Sequence, residues 1–276
     1  MLLKYLINMD RKTKIIATVG PSLASKEKIH SAINSGVNVF RINFSHGTLD
    51  EHKQFIDWAK SSKNQVAIMQ DIQGPKIRTG QVNTNTVLQK SQEINLTNKE
   101  VESSDEIIFI NYKNLYEDIS VNDRVFIDDG QIILKITEKQ KNKLKALILI
   151  GGELRDNQGV AFPDSKLSVP AITEQDIEHL KFGTEQDVDF VAVSFVRNSD
   201  DIQAVRDIIP KDIKIIAKIE LKTALENMDE ILNVSDGVMV ARGDLGVQLP
   251  IEKVPFVQKQ ILDAANRKGK ISITAT

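Results

Sequence analysis

Two textures of apolar and polar positions alternate along the chain. In the first, short apolar runs take turns with stretches whose apolar residues recur at helical spacing. Residues 13–20 (TKIIATVG), 37–46 (VNVFRINFSH) and 65–74 (QVAIMQDIQG) read as strands. Between them, residues 25–36 set Ile29, Ala32 and Ile33 on one helical face and close on Gly36, a helix-stop residue. Residues 48–62 turn Phe55, Ile56 and Ala59 inward in the same way. The alternation resumes after Pro163. Helices are predicted over 173–186, 199–209, 222–232 and 254–269, with Thr173 and Ser199 as N-caps. Strands are predicted over 190–197, 214–220, 237–246 and 271–276.

The second texture fills 75–163. Short β-rich runs such as EIIFI, RVFIDD and KLKALILI are separated by punctuation such as DDGQ and GGELRDNQG, with no long helical pattern. This predicts a small all-β domain, a β-barrel, inserted between 10–74 and 164–276, with residues 1–9 as an N-terminal extension. Strands that alternate with helices predict an α/β protein, a (β/α)8 TIM barrel or a doubly wound open sheet. The open-sheet nucleotide fingerprints GxGxxG and GxxxxGK[ST] are missing, which favours the barrel. A barrel closes on an eighth strand. The seventh is the last in this sequence, so the barrel is expected to be incomplete at its C-terminal end.

Composition narrows the function classes. Hydrophobic residues at 41% and charged residues at 27% exclude a disordered or collagen-like chain. A net charge of −2, with acidic and basic residues spread along the chain, supplies no bulk field for nucleic acid or an anionic membrane. Without cysteine there is no disulfide, thiolate metal site or thiol nucleophile. No apolar run approaches the roughly 20 residues that span a bilayer.

Polar residues occupy strand positions that should be apolar. Arg41, Asn43 and Ser45 share one face of strand two, because side chains at i, i+2 and i+4 do so. Lys218 and Glu220 pair in the same way on strand five, Arg242 and Asp244 on strand six, and Asp71 closes strand three. All lie at C-terminal strand ends, where barrel enzymes build their sites. One such pair alone reads as a rim salt bridge; four strand ends point to chemistry. Glu220 and Asp244 end consecutive strands, about 4.8 Å apart if paired. Two carboxylates about 4 Å apart repel by roughly 4 kcal/mol at an effective dielectric of about 20, so they need a cation, a shared proton or a basic neighbour. Oxygen ligands without cysteine or a nearby histidine favour Mg2+ or Mn2+. With Lys218 and Arg41 added, the set suits a small phosphorylated or carboxylated substrate. Of the four histidines, only His46 ends a strand; His30, His52 and His179 are expected on helix surfaces.

Taken in order, TKIIATVGPS, GVNVFRINFSHG, DIQGPKIRTG, DDGQI, IIAKIE, GVMVARGDLGVQLP and ITAT resemble the signatures of the pyruvate kinase family. The resemblance runs from about residue 10 to residue 276. It implies phosphoryl transfer from phosphoenolpyruvate to ADP in glycolysis, by a cytoplasmic homo-oligomer, a tetramer at full length. It implies that Lys218 stabilises the transferring group, Arg41 binds it, and Glu220 and Asp244 hold Mg2+. The Gly243 and Asp244 backbone would meet the substrate carboxylate, and Thr276 would lie near the enolate face that is protonated. Asn43, Phe44, Ser45, His46 and Arg78 would approach the nucleotide phosphates, with the inserted domain as a lid.

Three departures from the family pattern matter. The monovalent cation site would use Asn43, Ser45, Asp71 and the carbonyl of Ile72, but Lys76 stands where potassium-dependent members carry Glu. This implies activity without K+. Gln158 stands where the family usually has a lysine, which weakens ADP binding through the lid. The sequence also stops at strand seven, so this portion is not expected to be competent alone. The alternatives are an inactive fragment that associates with intact subunits, or a Mg2+-dependent lyase acting on pyruvate enolate.

Overall fold

The computed structural model describes residues 11–276; the expected extension over 1–9 lies outside the described residues. The elements in chain order begin with β1 (Ile16–Thr18), α1 (Lys26–Asn34), β2 (Val39–Asn43), α2 (Leu49–Lys60) and β3 (Ala67–Ile72). A β-rich stretch follows: β4 (Val87–Leu88), β5 (Glu93–Thr97), β6 (Ile107–Phe109), α3 (Leu115–Asp118), β7 (Arg124–Ile127), β8 (Ile132–Gln140), β9 (Lys143–Ile150), β10 (Gly152–Glu153) and β11 (Val160–Ala161). Then come α4 (Glu174–Glu185), β12 (Phe190–Val193), α5 (Ser199–Arg206), β13 (Lys214–Ile219), α6 (Lys222–Glu226) and α7 (Met228–Val234). The last are β14 (Gly237–Ala241), α8 (Arg242–Gln248), α9 (Val254–Arg267) and β15 (Ile271–Ala275).

The chain divides into two compact units. One holds the described residues up to Gly74 with Ala171–Ala241 and Gln258–Ala275; the other holds Pro75–Pro170 with Arg242–Val257 and Thr276. The first is built on a parallel sheet of 7 strands in the order β1-β2-β3-β12-β13-β14-β15. Spatial order follows chain order without a reversal. A doubly wound sheet reverses at its switch point, so the open-sheet option is excluded and the sheet is that of an incomplete (β/α) barrel.

Period-2 alternation splits each strand of this sheet into two faces. One face is apolar apart from Gln70, which donates to the His179 carbonyl at 2.6 Å, with Phe40, Ile42, Ile68, Ile72, Val191, Val193, Ile215, Ala217, Val238 and Val240 all buried. The other starts apolar, where Met69, Ala192, Ile216 and Met239 form a cluster with Ile16, Val39, Phe190 and Ile273. Two residues further along, it carries Thr18, Arg41, Asp71, Ser194 and Lys218. The same face is thus a packed plug at the strands' N-terminal ends and a charged floor at their C-terminal ends.

Helix starts carry local signals. Thr48 and Glu51 form a capping box on α2, and Thr173 and Asp176 form one on α4. Asp176 also reaches beyond its own helix. Its Oδ1 accepts the Gly74 amide at 3.2 Å, while its Oδ2 accepts the Thr173 amide at 2.8 Å. The end of β3 and the start of α4 are thereby tied through one carboxylate that is 1% exposed. The cap of α5 is Asn198 rather than the expected Ser199, because the Asn198 side chain accepts the Asp201 amide. The helix expected over 222–232 breaks into α6 and α7 at Asn227, whose side chain donates to the Arg197 carbonyl at 2.9 Å.

The second unit pairs its strands in the order β11-β7-β8-β9-β5-β6, with β4 and β10 as a separate antiparallel pair. Alternating positions of β8 and β9 bury Ile132, Leu134, Ile136, Leu144, Ala146 and Ile148 in an apolar core of the unit's own. The turn from β7 to β8 holds Asp128, Asp129 and Gly130 at positive φ, which explains the DDG punctuation.

Candidate active site

The floor of the first unit gathers two cations and two carboxylates. Lys218 comes from β13 and Glu220 directly follows that strand. The Lys218 ammonium lies 2.9 Å from Glu220 Oε1 and 3.3 Å from Asp71 Oδ1. Its third contact is a 2.7 Å hydrogen bond donated to Ser194 Oγ. An ammonium has three N–H donors, and three acceptors meet them. Arg41 donates from Nε to Asp71 Oδ2 at 2.6 Å and from a terminal nitrogen to Thr18 Oγ1 at 3.0 Å. Asp71 and Glu220 are buried and Lys218 nearly so. Such burial is tolerated because opposite charges balance and hydrogen bonds satisfy the remaining valences. Burial pulls the Lys218 ammonium down, but Glu220 and then Asp71 outweigh it, and the net shift is upward. The lysine is held charged.

Glu220 Oε2 accepts the Phe195 amide at 2.7 Å. Phe195 reaches that position in the left-handed region, at φ 55°, which is costly for a bulky side chain. Gly74, itself at φ 67°, packs on this turn: a Cβ there would meet the Ser194 carbonyl at 3.2 Å and the Phe195 ring at 3.3 Å. The Ser194–Phe195 corner after β12 therefore serves both catalytic candidates. The sequence reading missed it, since a lone serine in FVAVSFVR is weak; its register with Lys218, two places beyond Ala192 on the charged face, was the available signal.

Other expected residues fall variously. Asn43 ends β2 and its Oδ1 accepts the Ser45 amide at 3.1 Å. Ser45 lies past the strand end, so it does not extend the strand face as expected. The Ile72 carbonyl accepts from Ser194 Oγ at 2.8 Å. His46 is exposed, whereas the Phe44 ring is buried on the helix side, 4.1 Å from the His52 ring and 5.1 Å from that of His179. His52 and His179 are buried, against the expectation of a helix surface. His52 lies on the same stripe as Ile56 and Ala59, which carries it inward. Burial lowers the pKa of both, and for His52 the charge of His179 adds to the effect.

Arg242 and Asp244 do not alternate on a strand. β14 ends at Ala241, and Arg242–Gln248 is helical with Asp244 in its first turn. Arg242 is also out of phase with Met239 and Ala241, so an extended strand would have turned it to the other face. An acidic residue in the first helical turn is favoured by the helix dipole. Arg242, Gly243 and Asp244 are exposed, and a Cβ on Gly243 would stand 3.8 Å from the Thr276 carbonyl. In the second unit, Arg78 donates to the Asn157 carbonyl at 2.7 Å. Gln158 is buried there, its Oε1 accepting the Arg155 amide at 2.9 Å, and Lys76 is exposed.

The donor chemistry fits a magnesium-type ion. Carboxylate oxygens are the hard donors available, the donor type that suits Mg2+, which is held by one or two carboxylates beside waters and substrate oxygens. Among the described residues no three His, Asp or Glu side chains come together as a group that could hold a metal ion. No helix among the described residues is long and apolar enough to cross a membrane.

A singly wound parallel sheet with a charged floor at its C-terminal strand ends defines a (β/α)-barrel protein of the enzyme type. Residues 10–276 match the family described as pyruvate kinase, barrel domain. Pyruvate kinase of Staphylococcus aureus (strain MRSA252) is 43% identical, over 96% of this chain and 47% of its own length. Pyruvate kinase of Thermotoga maritima is 44% identical, over 96% of this chain and 59% of its own length. The chain spans about half the length of these relatives. It belongs to the pyruvate kinase family.

Proposed function

We propose that this chain carries the phosphoenolpyruvate-binding and phosphoryl-transfer residues of a pyruvate kinase acting in glycolysis. The observation that carries the reading is the buried Lys218, kept charged between Glu220 and Asp71 on the barrel floor. In the reaction the bond from phosphorus to the enol oxygen breaks, and a bond from phosphorus to a terminal oxygen of ADP forms. The enol oxygen keeps the electron pair. The resulting enolate takes a proton at its methylene carbon and becomes pyruvate.

Lys218 and Arg41 offset the charge spread over the transferring group, the main demand of a loose phosphoryl transition state. The family pattern assigns Glu220 and Asp244 to Mg2+ or Mn2+, which when bound neutralises further oxygen charge. It assigns the Gly243 and Asp244 backbone to the substrate carboxylate, Thr276 to the protonation face, and Asn43 to His46 with Arg78 to the nucleotide phosphates. Asp71 faces two protein cations, Arg41 and Lys218. This, with Lys76, supports turnover without K+.

The test supplies phosphoenolpyruvate, ADP and Mg2+ to a version of the chain extended to the length of these relatives and measures pyruvate and ATP. Equal amounts of both are expected, at the same rate in K+ and in a tetraalkylammonium salt. Formation of neither product, with aldol cleavage or condensation of pyruvate instead, would assign the lyase reaction. A strict K+ requirement would remove the proposed role of Lys76. Recovery of the chain only with longer, active subunits would make it a structural fragment.

A further inference from the structure

We infer that Ser194 is a positioning residue that sets the ammonium of Lys218 in its working orientation. The inference rests on the proposed function for its kinetic consequence, but its structural content stands apart. Ser194 is 5% exposed and follows β12, the strand next to β13. Its hydroxyl has two acceptors in reach, the Ile72 carbonyl at 2.8 Å and Asp71 Oδ1 at 3.4 Å, and donates to the nearer. A hydroxyl has one proton and two lone pairs, so committing the proton to Ile72 leaves the oxygen to face Lys218 as an acceptor. Lys218 meets it at 2.7 Å, its shortest contact.

The two carboxylates engage only two of the three N–H donors of Lys218. An ammonium on a four-carbon stem is a rotatable point charge. Ser194 meets the third donor with the shortest of the three contacts and so completes and tightens the hold on it. Ser194 is suited to that role because its own position is over-determined. Its backbone packs against Gly74, where a side chain would have to displace the Ser194 carbonyl. The next residue, Phe195, is locked to Glu220 through its amide. One corner of chain thus holds the lysine by a hydroxyl and the glutamate by a backbone N–H.

The test compares Ser194→Ala, Ser194→Thr and the unchanged protein by two readouts. The first is the NMR order parameter of the Lys218 ammonium at fixed pH in lysine-labelled protein, which reports how firmly its direction is held. The second is kcat against KM for phosphoenolpyruvate. Loss of the hydroxyl leaves one N–H of the ammonium without its acceptor, so the Lys218 ammonium order parameter falls in Ser194→Ala and stays high in Ser194→Thr. Misplacing a reacting group costs on the order of 100-fold, so kcat falls by up to about 100-fold in Ser194→Ala with KM little changed, and Ser194→Thr restores it. If Ser194→Ala does not fold, Ser194→Cys, with a weak sulfur acceptor of similar size, replaces it. An unmoved Lys218 order parameter and an unchanged kcat in a folded Ser194→Ala overturn the inference. If a version extended to the length of the relatives shows no turnover, the proposed function fails, and the Lys218 order parameter alone decides the role of Ser194.

Discussion

The two units bury different things under sheets of similar size. The Pro75–Pro170 stretch closes over aliphatic side chains, and its named ion pairs, such as Arg124 with Asp164 and Lys145 with Glu93, lie at its surface. The parallel sheet buries apolar side chains at one end of its inner face and Asp71, Lys218 and Glu220 at the other. The first arrangement is the cheaper one. Transfer of apolar area out of water stabilises directly, whereas buried charges at best recover their desolvation cost from one another. The second arrangement suits a site that needs a fixed, dry electrostatic field, as the phosphoryl transfer proposed above would.

Removing one charge from the floor should have the largest effect. Lys218→Met leaves Asp71 and Glu220 buried with one cationic partner fewer, and a loss of about 3–5 kcal/mol is expected in urea unfolding. The rate of pyruvate formation should drop by about 100- to 1,000-fold or more. Unchanged stability in this variant would erase the distinction between the two units. A deletion in the apolar unit comes next. Leu134 is fully buried, and Leu134→Ala should cost about 2–5 kcal/mol, seen as faster amide exchange in β7, β8 and β9. Protection lost equally in β3 and β13 would show that the units do not unfold separately.

The smallest effect is on the outer side of the parallel sheet. His52 and His179 have pKa values lowered from 6.5, first by burial. The unfolded chain therefore binds protons more readily. Their contribution is complete above about pH 6.5 and is lost as pH falls through the depressed folded values. Urea midpoints at pH 7 and pH 5 measure it. The facing groups Glu51, Asp176 and Glu178 moderate the loss, and His52→Gln should flatten part of the slope.

Much of this layout is legible in the residues. Alternation alone puts Arg41 with Asn43 on one face of β2 and Lys218 with Glu220 on one side of the β13 chain; that Arg41, Asp71 and Lys218 share one side of the sheet comes from the strand registers. It misleads where the strand has already ended: Arg242 and Asp244 alternate in the sequence, but the chain is helical from Arg242 onward. The buried histidines escape a reading by residue type, although the helical stripe through Ile56 and Ala59 marks His52. Ser194 escapes because its meaning lies in two partners, Ile72 and Lys218, that are 122 and 24 positions away. Pattern reads faces well and pairings between distant strands poorly.

The double duty of Asp176 bears on how such a protein changes over time. One carboxylate holds Gly74, where the chain leaves the parallel sheet, and Thr173, near where it returns. The sheet is therefore stitched shut at this seam by its own residues. Loop closure grows slowly with length, about 0.6 kcal/mol for each doubling, so little penalises the segment spliced in between. The seam is a graft point: a lineage can lengthen, trim or exchange the excursion beyond Gly74 while the strand order on either side stays intact.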